Sequence, residues 1–183
     1  MKNVMVILAN GFEEIECIAV VDVLRRAGSN VALVSISNSL EVTSQGNVKV
    51  VADKLLSNVS ADSIDAVVLP GGYGGVMGMM ESNELSSIVS NIHKKGKIIS
   101  AICAAPLFLD KLDILGELQF TCYPSVKENI KAKNYTAIKP VIHDKNIITS
   151  QGPATALEFG LYLASILEGS DVSKSIREGM LHA

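Results

Sequence analysis

Tryptophan is absent from this chain of 183 residues, and aromatic residues make up only 4% of it. With no Lys/Arg stripe and a formal net charge of -3, that scarcity removes both the stacking platform and the electrostatic footprint of a nucleic-acid binder. No apolar run approaches a membrane span. No nucleic acid and no membrane are therefore expected as partners. Cysteine is also scarce. Cys17, Cys103 and Cys122 are widely spaced and contain no C-x-x-C pair, which argues against a disulfide framework and a zinc site. The three histidines, His93, His143 and His182, have no ligand spacing, so no metal is expected. Met1–Ala9 is too short an apolar stretch for a secretory leader, and together with unpaired cysteines it fits a reducing cytoplasm. No Pro/Gly-rich or polar tract marks a linker, and one domain over residues 1–183 is expected.

What the chain does have is an alternation of short apolar runs with helical periodicity. Val4–Ala9, Val31–Ser37, Ala66–Leu69, Lys97–Ile102 and Ile147–Ser150 read as strands, most of them without polar alternation, as in a parallel sheet covered on both faces. Helices are predicted at about Glu13–Ala27, Asn83–Lys95, Ala104–Leu112, Pro124–Lys131, Ala154–Glu168 and Val172–Met180. The pattern is an α/β three-layer sandwich with a mostly parallel sheet. Glu41–Ala52, around Gln45-Gly46-Asn47, reads as an edge hairpin, and Val141–Ile148 as a possible second. In such sheets the site lies beyond the carboxyl ends of the strands.

Lys97–Pro106 is a buried strand that stops at Cys103 and turns at once into a helix. Ala104 and Ala105 are small enough for a sharp turn, and Pro106 suits a first helical turn. Backbone N–H groups at a helix start favour a thiolate. The segment fits a nucleophile elbow with sulfur in place of oxygen, and it also fits an inert core cysteine. Glu16 shares a helical face with Val20, Val23 and Ala27, so an apolar face carries a carboxylate that is either catalytic or a simple helix-start acid. Glu13 and Glu14 read as exposed first-turn acids. Cys17 reads as a packing residue on the helix stripe, and Cys122 as a core residue of a short strand. In Gly71-Gly72-Tyr73-Gly74-Gly75-Val76-Met77-Gly78, Met77 stands where a dinucleotide fingerprint needs its third glycine, and the Lys-Ser/Thr of a P-loop is missing. No cofactor is expected. Gly71 and Gly72 either aim N–H groups at an oxyanion or form a flexible connection.

Asn10-Gly11-Phe12-Glu13-Glu14-Ile15-Glu16, Asp22–Gly28, Leu69-Pro70-Gly71-Gly72, Ala101–Pro106 and Thr149-Ser150-Gln151-Gly152-Pro153-Ala154-Thr155 occur in order along the chain. With these segments the sequence resembles the ThiJ/PfpI family, whose domain is of the class I glutamine amidotransferase-like type. The resemblance implies a flavodoxin-like fold, a homodimer, a reactive Cys103 touched by a protonated Glu16, and oxyanion donors at the N–H groups of Gly72 and Ala104. Gly71, Tyr123, Pro124, Gly152 and Pro153 are expected around the pocket. Family proteases carry His directly after the cysteine, where this chain has Ala104, and some relatives carry His where Tyr123 stands. Both replacements remove a base, which argues against a peptidase or amidase. The expected function is cofactor-free action on small reactive carbonyls such as methylglyoxal or glycated adducts, of the glyoxalase III or deglycase kind, in carbonyl and oxidative stress defence. The alternative is a redox sensor or stress chaperone in which Cys103 oxidises without turnover.

Separately, the apolar positions of the first helix, from Ile15 to Leu24, wrap farther than one sheet face can cover. A second copy of the chain is expected there.

Overall fold

Nine strands and six α-helices are formed among residues 1–182, which the computed structural model describes; of the expected domain, Ala183 lies outside the described residues. In chain order they are β1 (Asn3–Leu8), α1 (Glu14–Arg26), β2 (Asn30–Ser35), β3 (Glu41–Thr43), β4 (Lys49–Val51), β5 (Lys54–Leu55), β6 (Ala66–Leu69) and α2 (Tyr73–Glu81). They continue with α3 (Asn83–Lys94), β7 (Ile98–Ile102), α4 (Pro106–Lys111), β8 (Val141–Asp144), β9 (Ile147–Ser150), α5 (Ala156–Glu168) and α6 (Ser170–Gly179). The main sheet has seven strands in the order β5-β2-β1-β6-β7-β9-β8, and only the β8–β9 pair is antiparallel. This is the flavodoxin-like α/β fold.

The apolar runs become strands because each strand feeds two cores. Along β1, Val4, Val6 and Leu8 pack with Val20, Val23 and Leu24 of α1 and with Phe159 and Leu163 of α5. The intervening Met5 and Ile7 enter the opposite core with Met79, Val89, Ile92 and Phe108 from α2, α3 and α4. Period-two alternation across a strand thus fills both faces with hydrocarbon, and each fully buried Val or Leu contributes roughly 1.5–3 kcal/mol. β1, β6 and β7 lie side by side, so the segments that leave their carboxyl ends meet on one rim.

Several local expectations change. The Glu41–Ala52 hairpin forms as β3 and β4, but as a separate two-stranded sheet rather than at the main sheet's edge. Its backbone bonds instead to the loop after β1: Gly11 N–H donates to Thr43 O at 2.8 Å, and Gln45 N–H to Phe12 O at 2.9 Å. β5 pairs with β2 and takes the edge position, while the second hairpin, β8–β9, closes the other edge. The glycine-rich stretch is helical as α2, because a close fit overrides poor intrinsic propensity: a Cβ on Gly75 would stand 2.9 Å from Phe12 N. Residues Pro124–Asn129 form a 3₁₀ helix rather than an α-helix. Cys122 is buried but not in a strand, since its segment makes only an isolated bridge between Phe120 and Tyr135. No described helix is long and apolar enough to cross a membrane.

Candidate active site

Cys103 follows β7 in the left-handed backbone region, with φ 64°. For an L-residue that conformation costs roughly 1–2 kcal/mol, and the surrounding backbone holds it in place. Cys103 N–H donates to Ser150 O at 3.1 Å, Tyr123 N–H donates to Cys103 O at 2.8 Å, and Ala105 N–H closes the turn onto Ile102 O at 3.0 Å. Residues 103–105 are consumed by this turn, so the helix starts at Pro106, later than the periodicity alone predicts. The side chain lies in the floor of a cavity of about 300 Å³. Gly72 and Ala104 N–H groups face its sulfur.

Glu16 comes from the first turn of α1 and is fully buried. Its Oε2 accepts the Gly71 N–H at 2.7 Å, and its Oε1 is buried without a hydrogen bond of normal geometry. Burial pushes the Glu16 carboxyl up to about 7, against the pull of the neighbouring Cys103 thiol and the Gly71 N–H. The thiol is pushed up to about 12, first by burial and then by the Glu16 charge, with the Gly72 and Ala104 N–H groups pulling the other way. This corrects the expectation of a thiolate favoured by a helix start. α4 is a single short helix of six residues, and its start is outweighed by desolvation and by the carboxylate. The second negative charge is the costly one in such a pair, so the thiol keeps its proton when Glu16 ionises.

The folded Glu16 titrates at about 7 against 4.5 for a free carboxyl, so between those values the native state binds more protons than the unfolded chain. The stability this group contributes is full below about pH 4.5 and is lost as pH rises through 7, by roughly 3 kcal/mol in total. Melting temperature should fall across this window in the wild type and fall less in Glu16→Gln, which scanning calorimetry between pH 5 and 8 will read. Parallel profiles would remove Glu16 as the titrating group.

The walls add residues that the sequence reading missed. Glu13 is not an exposed acid: it is 6% exposed, its Oε2 accepts the Glu16 N–H at 2.7 Å as the cap of α1, and it lines the cavity. Glu14 is half-buried, with Oε2 unpartnered. Gln45 reaches the cavity because the hairpin folds over the loop after β1. Tyr73 and Tyr123, 59% and 45% exposed, stand at the mouth, and Ser125, Val126 and Pro153 complete the far side. Of the expected pocket residues, Tyr123 and Pro153 line this cavity. Pro124 and Gly152 line a neighbouring depression, with Tyr123 and Pro153 shared between the two. Gly71 lies behind the wall, where a Cβ would stand 2.5 Å from Glu16 Oε2 and 2.6 Å from Cys103 Cβ. The packing signal for Glu13 was its place three residues before Glu16, at a capping position. Nothing local marks Gln45, which arrives through tertiary docking. No group of three or more His, Cys, Asp or Glu side chains among the described residues is placed to hold a metal ion.

Comparison with known proteins gives concordant matches. The model of the DJ-1/PfpI family matches residues 2–166. The chain is 40% identical over 184 residues to Protein dj-1beta of Drosophila melanogaster, covering 100% of this chain and 98% of that protein. It is 33% identical over 165 residues to the glutathione-independent glyoxalase DJR-1.2 of Caenorhabditis elegans, covering 90% of this chain and 87% of that one. The crystal structure of Drosophila melanogaster DJ-1beta superposes with a TM-score of 0.96 at 39% identity, over 100% of this chain and 98% of that chain.

Proposed function

Because the chain belongs to the DJ-1/PfpI family, we propose that it is a cofactor-independent cysteine enzyme of the glyoxalase or deglycase kind, serving carbonyl and oxidative stress defence in the cytoplasm. Its substrates are small reactive carbonyls, methylglyoxal foremost. The similarity to a protein named as a glutathione-independent glyoxalase supports that class. The observation that carries the reading is Cys103 held at φ 64° in the cavity floor, with two backbone N–H groups facing its sulfur and a proton-bearing Glu16 beside it.

The chemistry balances without an external redox partner. Cys103 sulfur adds to the aldehyde carbon, and the carbonyl electron pair moves to oxygen, where the N–H groups of Gly72 and Ala104 stabilise the charge. The Glu16 carboxylate takes the thiol proton as the C–S bond forms and passes it to that oxygen, which completes the hemithioacetal. Transfer of the C1 proton to the Glu16 carboxylate and its return at C2 move the oxidation from one carbon to its neighbour and leave a lactoyl thioester. Water then cleaves the C–S bond, releasing lactate and restoring the thiol. A protein that forms lactate from methylglyoxal without glutathione supports this reading, and unchanged methylglyoxal overturns it.

A homodimer belongs to the same reading. Ile15 and Ile18 of α1 are 55% and 43% exposed, an apolar strip on the helix that carries Glu16 and one that a second copy would cover. Light scattering at micromolar concentration should return twice the chain mass. A monomeric mass would sink the dimer and leave the catalytic reading standing.

A further inference from the structure

Glu13 is an acid that the chemistry above does not use, and it faces the cavity holding Cys103. Among the described residues that line this cavity, it is the only acid, and no Lys, Arg or His accompanies it. Gln45, Tyr73, Tyr123 and Ser125 are the other polar side chains of the wall. Glu13 is also held by its backbone surroundings. Its Oε2 accepts the Glu16 N–H at 2.7 Å, and its own N–H donates to Gly71 O at 3.0 Å, which ties the acid to the strand-end loop that carries the oxyanion donors. Burial raises the Glu13 pKa above the ordinary carboxylate value, with the hydrogen bond from Glu16 N–H pulling the other way.

We infer that Glu13 sets the charge preference of the cavity, admitting neutral or cationic carbonyl compounds to Cys103 and repelling anionic ones such as 2-oxo acids and phosphorylated aldehydes. The inference rests on the catalytic reading for its substrate class, but the physical effect does not need turnover. The charge of an ionised Glu13 in a cavity walled partly by protein acts on any anion that approaches the sulfur, whatever the thiol then does. At ~6 Å and an effective dielectric of about 40, repulsion between two unit charges amounts to about a tenfold effect on rate.

Two thiol reagents of nearly equal size measure it. Iodoacetamide is neutral and iodoacetate is anionic, and with each the thiolate forms a C–S bond as iodide leaves. The rate ratio of the two cancels the thiolate fraction, so a change in the Cys103 pKa drops out. Rates at the Cys103 peptide are followed by mass spectrometry in wild type, Glu13→Gln and Gln45→Lys. The Gln amide oxygen can still cap α1. Gln45 is exposed on a turn, so the lysine adds an opposing charge at small cost to folding.

In Glu13→Gln the iodoacetate-to-iodoacetamide ratio should rise about tenfold, and in Gln45→Lys it should rise several-fold. If Glu13→Gln fails to fold, as circular dichroism would reveal, the Gln45→Lys ratio alone decides the matter. Ratios equal to the wild-type value in the folded variants would overturn the inference. Absence of methylglyoxal turnover, beside shifted alkylation ratios, would refute the catalytic reading and leave the charge preference intact.

Discussion

Cys103→Ser should lower kcat/KM for glutathione-free conversion of methylglyoxal to lactate by at least about 10³-fold, with the fold retained. A serine hydroxyl is far harder to ionise than a thiol and forms no labile thioester, and no His in the site is placed to take its proton. Among the described residues the cavity contains Glu13 but no histidine, and the Glu16 carboxyl, at about 7, is too weak a base to ionise a serine hydroxyl. Losing the sulfur therefore removes the attacking atom and the leaving group of the final hydrolysis together. The measurement is initial lactate formation in both proteins, with circular dichroism to show equal folding. A variant within tenfold of the wild type would move the nucleophile elsewhere, and Cys17 and Cys122 are poor substitutes. Both are buried, with thiols pushed up to about 12 and about 11 by desolvation.

The second large effect is on stability. Gly72 has φ 83°, and a Cβ there would stand 2.3 Å from Gly11 O, 2.6 Å from Glu13 N and 2.7 Å from Phe12 C. All three atoms are backbone, so no side-chain rotation relieves the contact. Gly72→Ala should cost at least about 3 kcal/mol from overpacking and left-handed strain combined. In a chain of this length that corresponds to a melting temperature lower by roughly 10 °C. Activity should fall as well, because the shift moves one of the two N–H groups that face the Cys103 sulfur. A melting temperature within about 2 °C of wild type would mean that the loop after β1 yields more readily than its contacts imply.

Much of this architecture was legible in the residues. Val4–Leu8, Ala66–Leu69 and Ile98–Ile102 are apolar on both faces, and that pattern alone calls for a parallel sheet between helices. Cys103 stood out because a strand ran into Ala-Ala-Pro without a polar loop, and Glu16 because a carboxylate occupied an apolar helical face. What local sequence could not carry was docking. The β3–β4 hairpin is plain from its turn, but its seat on the loop after β1 depends on the bonds from Gly11 and Gln45, and those bring Gln45 to the cavity. α2 was hidden because its glycines have low helix propensity, and their reason is the close approach of Gly75 to Phe12. Glu13 was misread as exposed because an acid before a helix usually faces water, whereas here the strand-end loop of Gly71 covers it. The thiol's raised pKa escaped for a related reason: burial depth and the Glu16 contact are tertiary facts that a helix-start argument does not contain.

The number of lactate molecules formed per protein chain, followed by NMR with excess labelled methylglyoxal and no glutathione, tests the central claim most directly. Repeated passage through a Cys103 thioester predicts many lactates per chain and a thiol recovered unmodified at the end. Consumption that stops at or below one methylglyoxal per chain, with no lactate released, would contradict it.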